Sequence, residues 1–482
     1  VHEEMMMHAM NFEEFFKQAT GYDPLPYQKR WATEEAIPQR VSVPTGLGKT
    51  AGAVCSWIWR RRHAENSIRE RTPRRLVYCL PMRVLVEQTH RECIRFLDNL
   101  NLLGGKILAD GRYDPWAGDT GDVNKIRVFS LMGEALDRDW DVYPEADTIL
   151  VGTQDQLLSR ALNRGYGMSR FRWPVHFALL HNDAWWVLDE IQLMGDGLAT
   201  SLQLAAFREH FQSEAPHACT WMSATLDPNW LQTPDFQVKQ HAPLELALEN
   251  SDQNHPVIAD RIRATKKLKQ ADFTVQDGPK PVADLAWNNT SAGTRTLVVV
   301  NTVKRAVEVF DELLKKAKNK GPRVILLHSR FRQEDRKRSL NLLLGEIPEE
   351  GLIAVCTQVV EAGVDVSARV LITDVAPAAS LIQRFGRCNR RGENPNAIIY
   401  WIPQNLQKGV FAPYQEEEVQ KAQETLRDMT SAAATDLEPL HDCMDFSFFY
   451  VLRRKDLLEL FDTTPDLTGA DLDVSRYVRS IK

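Results

Sequence analysis

The sequence predicts an α/β protein of two tandem parallel-sheet lobes followed by a C-terminal accessory segment. Short apolar runs alternate with polar or Gly-containing turns and helix-period segments, the pattern of strands joined by crossover helices. The runs fall into two series, separated by a polar, Pro-, Gly- and Lys-rich stretch over about 249–293. Chemically loaded residues follow directly on the runs, where open parallel sheets bind ligands. At roughly 150 residues per domain, 482 residues allow about three domains with full cores.

The first series places strands at 40–43, 76–80, 126–131, 148–151, 185–188 and 219–222. The second places them at 296–300, 324–327, 352–355, 370–372 and 397–401. Beyond about residue 405 the alternation stops, and 416–429 reads as a charged amphipathic helix. These boundaries give lobe 1 over 1–248, lobe 2 over 249–405 and the accessory segment over 406–482.

Composition excludes several classes. With 43% hydrophobic and 26% charged residues the chain reads as a globular protein. No apolar run approaches the ~18 residues of a membrane span, so no membrane partner is expected. The N-terminus has neither a basic n-region nor an apolar h-region, so it is not a secretory signal. Seven cysteines without a C-x-x-C pair suit reduced thiols in a cytoplasm rather than a disulfide framework or a zinc site. A net charge of −6 confines any nucleic-acid contact to a local groove. The chain opens on Val1 and stops after a strand-like alternation at 474–479, so we expect a piece of a longer protein.

Residues 44–50, Pro-Thr-Gly-Leu-Gly-Lys-Thr, join the strand at 40–43 to a helix starting near Thr50. Thr45, Gly46, Leu47 and Gly48 would wrap the phosphates of ATP with backbone N–H groups. Lys49 would neutralise the β- and γ-phosphates, and the Thr50 hydroxyl would hold Mg²⁺. Asp189 and Glu190 end the apolar run 185–188. Asp189 would hold the metal, and Glu190 would polarise the attacking water. Phosphoryl transfer also needs positive charge at the γ-phosphate. Arg387 and Arg390, expected on one face of a helix after a lobe 2 strand, offer it across an inter-lobe cleft that closes on ATP. The cluster Arg60–Arg62, Arg69, Arg71, Arg74 and Arg75 is expected to be a solvated loop. Trp57, Trp59, Trp185 and Trp186 sit inside apolar runs and are expected to be core.

Ten blocks in order resemble a superfamily 2 helicase. They are Gln28; P-T-G-L-G-K-T (44–50); P-M-R-V-L-V-E-Q (81–88); V-G-T-Q-D-Q (151–156); D-E-I-Q (189–192); S-A-T (223–225); N-T-V-K-R-A (301–306); H-S-R-F (328–331); T-Q-V-V-E-A-G-V-D (357–365); and Q-R-F-G-R-C-N-R-R-G (383–392). The resemblance implies two RecA-like lobes with an ATP cleft between them. D-E-I-Q-L-M-G (189–195), T-Q-V-V-E-A-G-V-D-V (357–366) and the tail at 452–467 look most like one branch, the CRISPR-associated helicase–nuclease of type I systems, subtype I-G (I-U).

The resemblance implies an ATP-driven translocase moving 3′→5′ on single-stranded DNA in antiviral defense. Its partners would be that DNA, a CRISPR surveillance complex with guide RNA, and an HD nuclease domain. It gives Gln28 the adenine, and Asp365 the neighbourhood of the ribose. Coupling between hydrolysis and strand contact would fall to Gln192, Ser223, Thr225 and Gln383, with Arg387 and Arg390 as arginine fingers. Nucleic-acid backbone contacts would fall to Arg83, Thr153, Gln154, Asn301, His328, Thr357 and Gln358. That choice suits sequence-independent tracking, which needs hydroxyls, amides and a few cations on phosphates. Gln192 departs from the family's more usual His or Asp. An HD site needs a His, a His-Asp pair and a further Asp. The one His-Asp dipeptide, His441-Asp442, is followed by no His, so the nuclease is expected outside this chain or in trans. An RNA helicase and a nucleotide-gated clamp are the alternatives.

Overall fold

The computed structural model describes residues 10–118, 121–133, 135–136, 139–212, 215–224, 226–237, 244–317, 321–361, 363–405, 411–444, 448–462 and 472–479. The chain divides into two compact units. The first comprises the chain up to His255, Pro44–Gly46 apart, together with the part from Phe446 onward. The second runs from Pro256 to Asp445.

The first unit is a parallel sheet of β1 (Arg40–Ser42), β2 (Arg75–Leu80), β3 (Arg127–Met132), β4 (Thr148–Thr153), β5 (Ala184–Asp189), β6 (His217–Ser223) and β7 (Glu245–Ala247). Their spatial order is β7-β1-β6-β5-β2-β4-β3, and Ala135–Leu136 pairs antiparallel beyond β3. Every residue of β2, β4 and β5 is buried. A parallel strand covered by helices on both faces must be apolar throughout, which is why these segments read as unbroken runs. The helices that matter for the site are α1 (Pro26–Thr33), α2 (Lys49–Arg62), α3 (Arg83–Asn99), α4 (Gln154–Ala161) and α5 (Asp196–His210). Each of α2, α3 and α4 starts within a few residues of the carboxyl end of a strand.

The second unit is a parallel sheet of β8 (Lys267–Gln270), β9 (Arg295–Val299), β10 (Arg323–Leu327), β11 (Leu352–Cys356), β12 (Val370–Asp374) and β13 (Ile398–Ile402), ordered β8-β13-β12-β9-β11-β10. Its two faces build separate cores. Leu297 and Val299 pack with Ala354, Leu371 and Phe385 on one side, and Val298 and Val300 pack with Ile353, Val355 and Ile372 on the other. This is the period-2 alternation of a strand buried on both sides. The helices α6 (Ala378–Phe385) and α7 (Glu416–Asp428) cover the first of these cores, α7 through Val419, Ala422 and Leu426.

All eleven predicted strands are present to within two residues. Two strands, β7 and β8, carry too few apolar residues to have been read. In β8 only Leu268 is buried; the strand pairs with β13 on one side and is bridged on the other only at Lys267–Ser431. The arginine cluster is not a solvated loop throughout. Arg60 is fully buried, donating to the carbonyls of Glu34 and Glu35 at 2.5 and 2.6 Å. Arg75 donates to those of Leu179, Pro144 and Asn182. Arg61 and Arg62 share the buried Asp147. Trp57, Trp185 and Trp186 are buried, as expected, and Trp59 is half-buried against Phe12 and Phe15.

The described C-terminal residues, 448–462 and 472–479, pack within the first unit. The Leu452 carbonyl accepts from Gln203 Nε2 at 2.6 Å, and that of Leu460 from Asn163 Nδ2 at 3.0 Å. Helix α8 (Ser475–Val478) lies on α4 and α5, with Thr200 Oγ1 donating to the Tyr477 carbonyl at 2.5 Å. At Gly197 a Cβ would come within 2.9 Å of the Val478 carbonyl, so the approach requires glycine. No described helix is long and apolar enough to cross a membrane.

Candidate ATP site and nucleic-acid face

The loop between β1 and α2 turns through two left-handed glycines, Gly46 at φ 86° and Gly48 at φ 77°. Gly48 caps α2, and a Cβ there would fall 2.8 Å from Gln28 Nε2. Left-handed backbone and lack of space both demand glycine at this position. Lys49 is buried and donates from Nζ to the Val43 carbonyl at 2.9 Å, which places the ammonium inside the curve of the loop. Gln28 is also buried. Its Oε1 accepts from Leu25 N and its Nε2 donates to the Gly48 carbonyl, both at 2.8 Å. Tyr27 O–H donates to the Leu47 carbonyl at 2.7 Å. Thus α1 fixes the loop through two adjacent side chains.

Asp189 ends β5. Its Oδ1 accepts from Glu190 N at 2.9 Å and its Oδ2 from the Tyr78 hydroxyl at 2.8 Å. Burial and the neighbouring Glu190 carboxylate raise its pKa, partly opposed by Lys49. Glu190 stands in the left-handed region at φ 54°, unusual for a non-glycine residue. This turn lets two consecutive carboxylates escape the opposite-face rule of a strand. Gln192 Nε2 then donates to Glu190 Oε2 at 2.6 Å, and Ser223 Oγ donates to Gln192 Oε1 at 2.9 Å. Ser223 in turn accepts from Val43 N at its carbonyl, at 3.4 Å. A hydrogen-bonded chain therefore runs from the start of the phosphate loop to Glu190. Thr225 lies outside the described residues.

The donor set is a threonine hydroxyl and a carboxylate beside a loop with glycines at its turns. Hard oxygen donors of this kind fit Mg²⁺, which keeps several waters and takes phosphate oxygens from its nucleotide.

In lobe 1 the nucleic-acid candidates gather at two neighbouring helix starts. Strands β2 and β4 pair with Leu80 opposite Thr153, so α3 and α4 begin side by side. Arg83 is exposed at the first position of α3. Thr153 caps α4, and Gln154 donates to the Met194 carbonyl at 3.3 Å. Paired helix N-termini favour phosphate. Arg479 of the C-terminal part reaches the same place, bonding the Pro81 carbonyl at 3.3 Å and pairing with Asp155 at 3.2 Å.

In lobe 2 the expected shared helix face for Arg387 and Arg390 is corrected. Helix α6 stops at Phe385, capped by Gly386, and the arginines lie on the turns that follow, shaped by Asn389 at φ 45°. Arg387 is buried and donates to the carbonyls of Val360 and Glu361 at 2.9 and 2.6 Å. Arg390 pairs with Asp365 at 2.9 Å. Asn301 donates to the Val375 carbonyl at 2.8 Å, and Gln358 to the Asn301 carbonyl at 2.8 Å. Thr357 and Gln383 are buried. His328 stacks on Phe331 with centroids 4.3 Å apart and accepts from Arg330 N at 3.2 Å; desolvation lowers its pKa.

Sequence reasoning missed Arg384. It is fully buried, and its guanidinium bonds Glu361, Thr373 Oγ1, the Asp374 carbonyl, Asn301 Oδ1 and the Tyr414 hydroxyl at 2.7–3.0 Å. Its place inside the Q-R-F-G-R block was the available signal. Among the described residues no group of three His, Cys, Asp or Glu could hold a metal, and His441 is partly buried.

Residues 26–233 match the family model for the DEAD/DEAH box helicase, and residues 292–393 match that for the C-terminal part of the CRISPR-associated nuclease/helicase Cas3. The fold is that of two RecA-like lobes; the first carries the DEAD/DEAH box helicase match and the second the Cas3-like one. The chain is also similar to Cas3 proteins along its length. It is 26% identical over 410 residues to the Cas3 nuclease/helicase of Methanothermobacter thermautotrophicus, covering 78% of this chain and 42% of that protein. It is 38% identical over 113 residues to the Cas3 helicase of Thermoproteus tenax, covering 22% and 18%. The crystal structure of T. fusca Cas3 with AMPPNP superposes with a TM-score of 0.62 at 19% identity, over 89% of this chain and 53% of that one. The chain thus spans about half, or less, of the relatives it matches.

Proposed function

We propose that this chain couples ATP hydrolysis to 3′→5′ movement on single-stranded DNA, as the motor of type I CRISPR interference in a cytoplasm. A surveillance complex with guide RNA would recruit it, and the HD nuclease would lie outside these residues or act in trans. The observation that carries the reading is the hydrogen-bonded chain Val43–Ser223–Gln192–Glu190 beside Lys49 and Thr50. Such a chain can pass a change at the loop to the water-activating carboxylate. The Cas3-like match of the second lobe supports the CRISPR assignment.

In this reading Lys49 leaves the Val43 carbonyl for the β- and γ-phosphates, and Gln28 holds the adenine. Glu190 orients the water and takes its proton. Thr50 and Asp189 would hold Mg²⁺, whose charge would offset that on the phosphates when it is bound. Arg387 and Arg390 are assigned the γ-phosphate charge, and Asp365 the ribose. Gln192, Ser223, Thr225 and Gln383 couple hydrolysis to the strand. Arg83, Thr153, Gln154, Asn301, His328, Thr357 and Gln358 contact its backbone.

The deciding experiment is the ATPase rate alone and with single-stranded DNA, single-stranded RNA or duplex, using Glu190→Gln as blank. Stimulation by single-stranded DNA alone supports the proposal. Stimulation by RNA instead makes the chain an RNA helicase, and slow hydrolysis indifferent to nucleic acid makes it a clamp. Two variants refine the roles. Lys49→Ala should lose at least about tenfold in ATP affinity and about a hundredfold in turnover, read by fluorescent-nucleotide binding and phosphate release. Arg390→Ala should lower kcat by roughly 10²-fold with KM for ATP nearly unchanged. Equal losses in both would make Arg390 a ground-state binder.

A further inference from the structure

Tyr78 belongs to none of the helicase blocks. It sits in the interior of β2, an apolar strand, and none of its surface is exposed. A fully buried phenol must find a partner for its hydroxyl. Here the partner is a chosen one. Tyr78 stands opposite Val187 in the β2–β5 register, and its ring reaches two residues further along β5 to donate to Asp189 Oδ2 at 2.8 Å. One phenolic oxygen therefore holds the carboxylate that would bind Mg²⁺.

The carboxylate has two ways to turn about its χ2 angle, and two partners stop it. Glu190 N holds Oδ1, and Tyr78 holds Oδ2. Partners behind a metal ligand commonly set its orientation and affinity. We propose that Tyr78 is a positioning residue for the Mg²⁺ site, locking the Asp189 carboxylate in the orientation that receives the metal with its nucleotide. This rests on the ATP-hydrolysing reading of the same site.

The test is Tyr78→Phe in the full chain, which removes one oxygen and keeps the ring. Fluorescent-ATP binding is titrated with Mg²⁺ and repeated in EDTA, and phosphate release is followed over the same Mg²⁺ range. The expected result is a 10–100-fold higher Mg²⁺ requirement in both assays, with unchanged metal-free nucleotide affinity and kcat recovered at saturating Mg²⁺. A Mg²⁺ titration that overlays the wild type overturns the inference while leaving the functional reading intact. A wild-type chain whose nucleotide binding ignores Mg²⁺ overturns both. A second comparison guards against a fold defect. On an Asp189→Asn background the Tyr78→Phe change should add no further loss of Mg²⁺ response, whereas an additive loss would mean the phenol acts only on packing.

Discussion

Glu190→Gln should bind ATP with wild-type affinity and hydrolyse it at least about a hundredfold more slowly, the usual worth of a positioned general base. The substitution keeps the shape of the side chain and its left-handed backbone. It removes the charge that can take a proton from water. The hydrogen bond from Gln192 Nε2 at 2.6 Å survives, because an amide oxygen can still accept it. The loss should therefore appear in kcat and spare binding, and the variant should remain trapped on DNA in the presence of ATP. Phosphate release and nucleotide titration, run side by side, check this. Hydrolysis at the wild-type rate would remove Glu190 from the catalytic role.

Arg384→Met should destabilise the second lobe by about 3–5 kcal/mol, the cost of removing one member of a buried ion pair. Glu361, nearly buried, loses its cation, and the Asp374 carbonyl, Thr373 Oγ1 and Tyr414 hydroxyl lose a donor. Asp374 itself keeps Arg305 at 3.1 Å, so the damage centres on Glu361 and Asn301. Arg384→Lys should recover only part, since an ammonium lacks the planar fork that serves several acceptors at once. Hydrogen exchange over 357–385 and denaturant unfolding read the effect. Wild-type stability in Arg384→Met would show that the network contributes little.

The strands and the phosphate loop were legible in the sequence for local reasons. A parallel strand buried on both faces leaves an unbroken apolar run, and a phosphate-wrapping turn needs glycine where φ is positive. Strands β7 and β8 were illegible because edge strands bury too little to leave a run. The shared helix face for Arg387 and Arg390 failed because spacing alone does not say where a helix stops. Gly386 ends it, and Asn389 turns the chain the other way. The arginines of α2 and β2 looked solvated because backbone carbonyls, which receive Arg60 and Arg75, have no signature in side-chain composition.

The sequence by itself determined the α/β class, the two strand series, and the order of the phosphate loop, acidic pair and arginine block. These depend on period, turn chemistry and residue type within a few positions. Only the packed fold shows that Tyr78 meets Asp189 across 111 residues, that Arg384 joins five residues of the second lobe, and that the C-terminal part returns to the first unit. Such pairings follow from which strands lie side by side and which helix starts they bring together. That adjacency is set by how the whole sheet packs, and no local stretch of sequence encodes it.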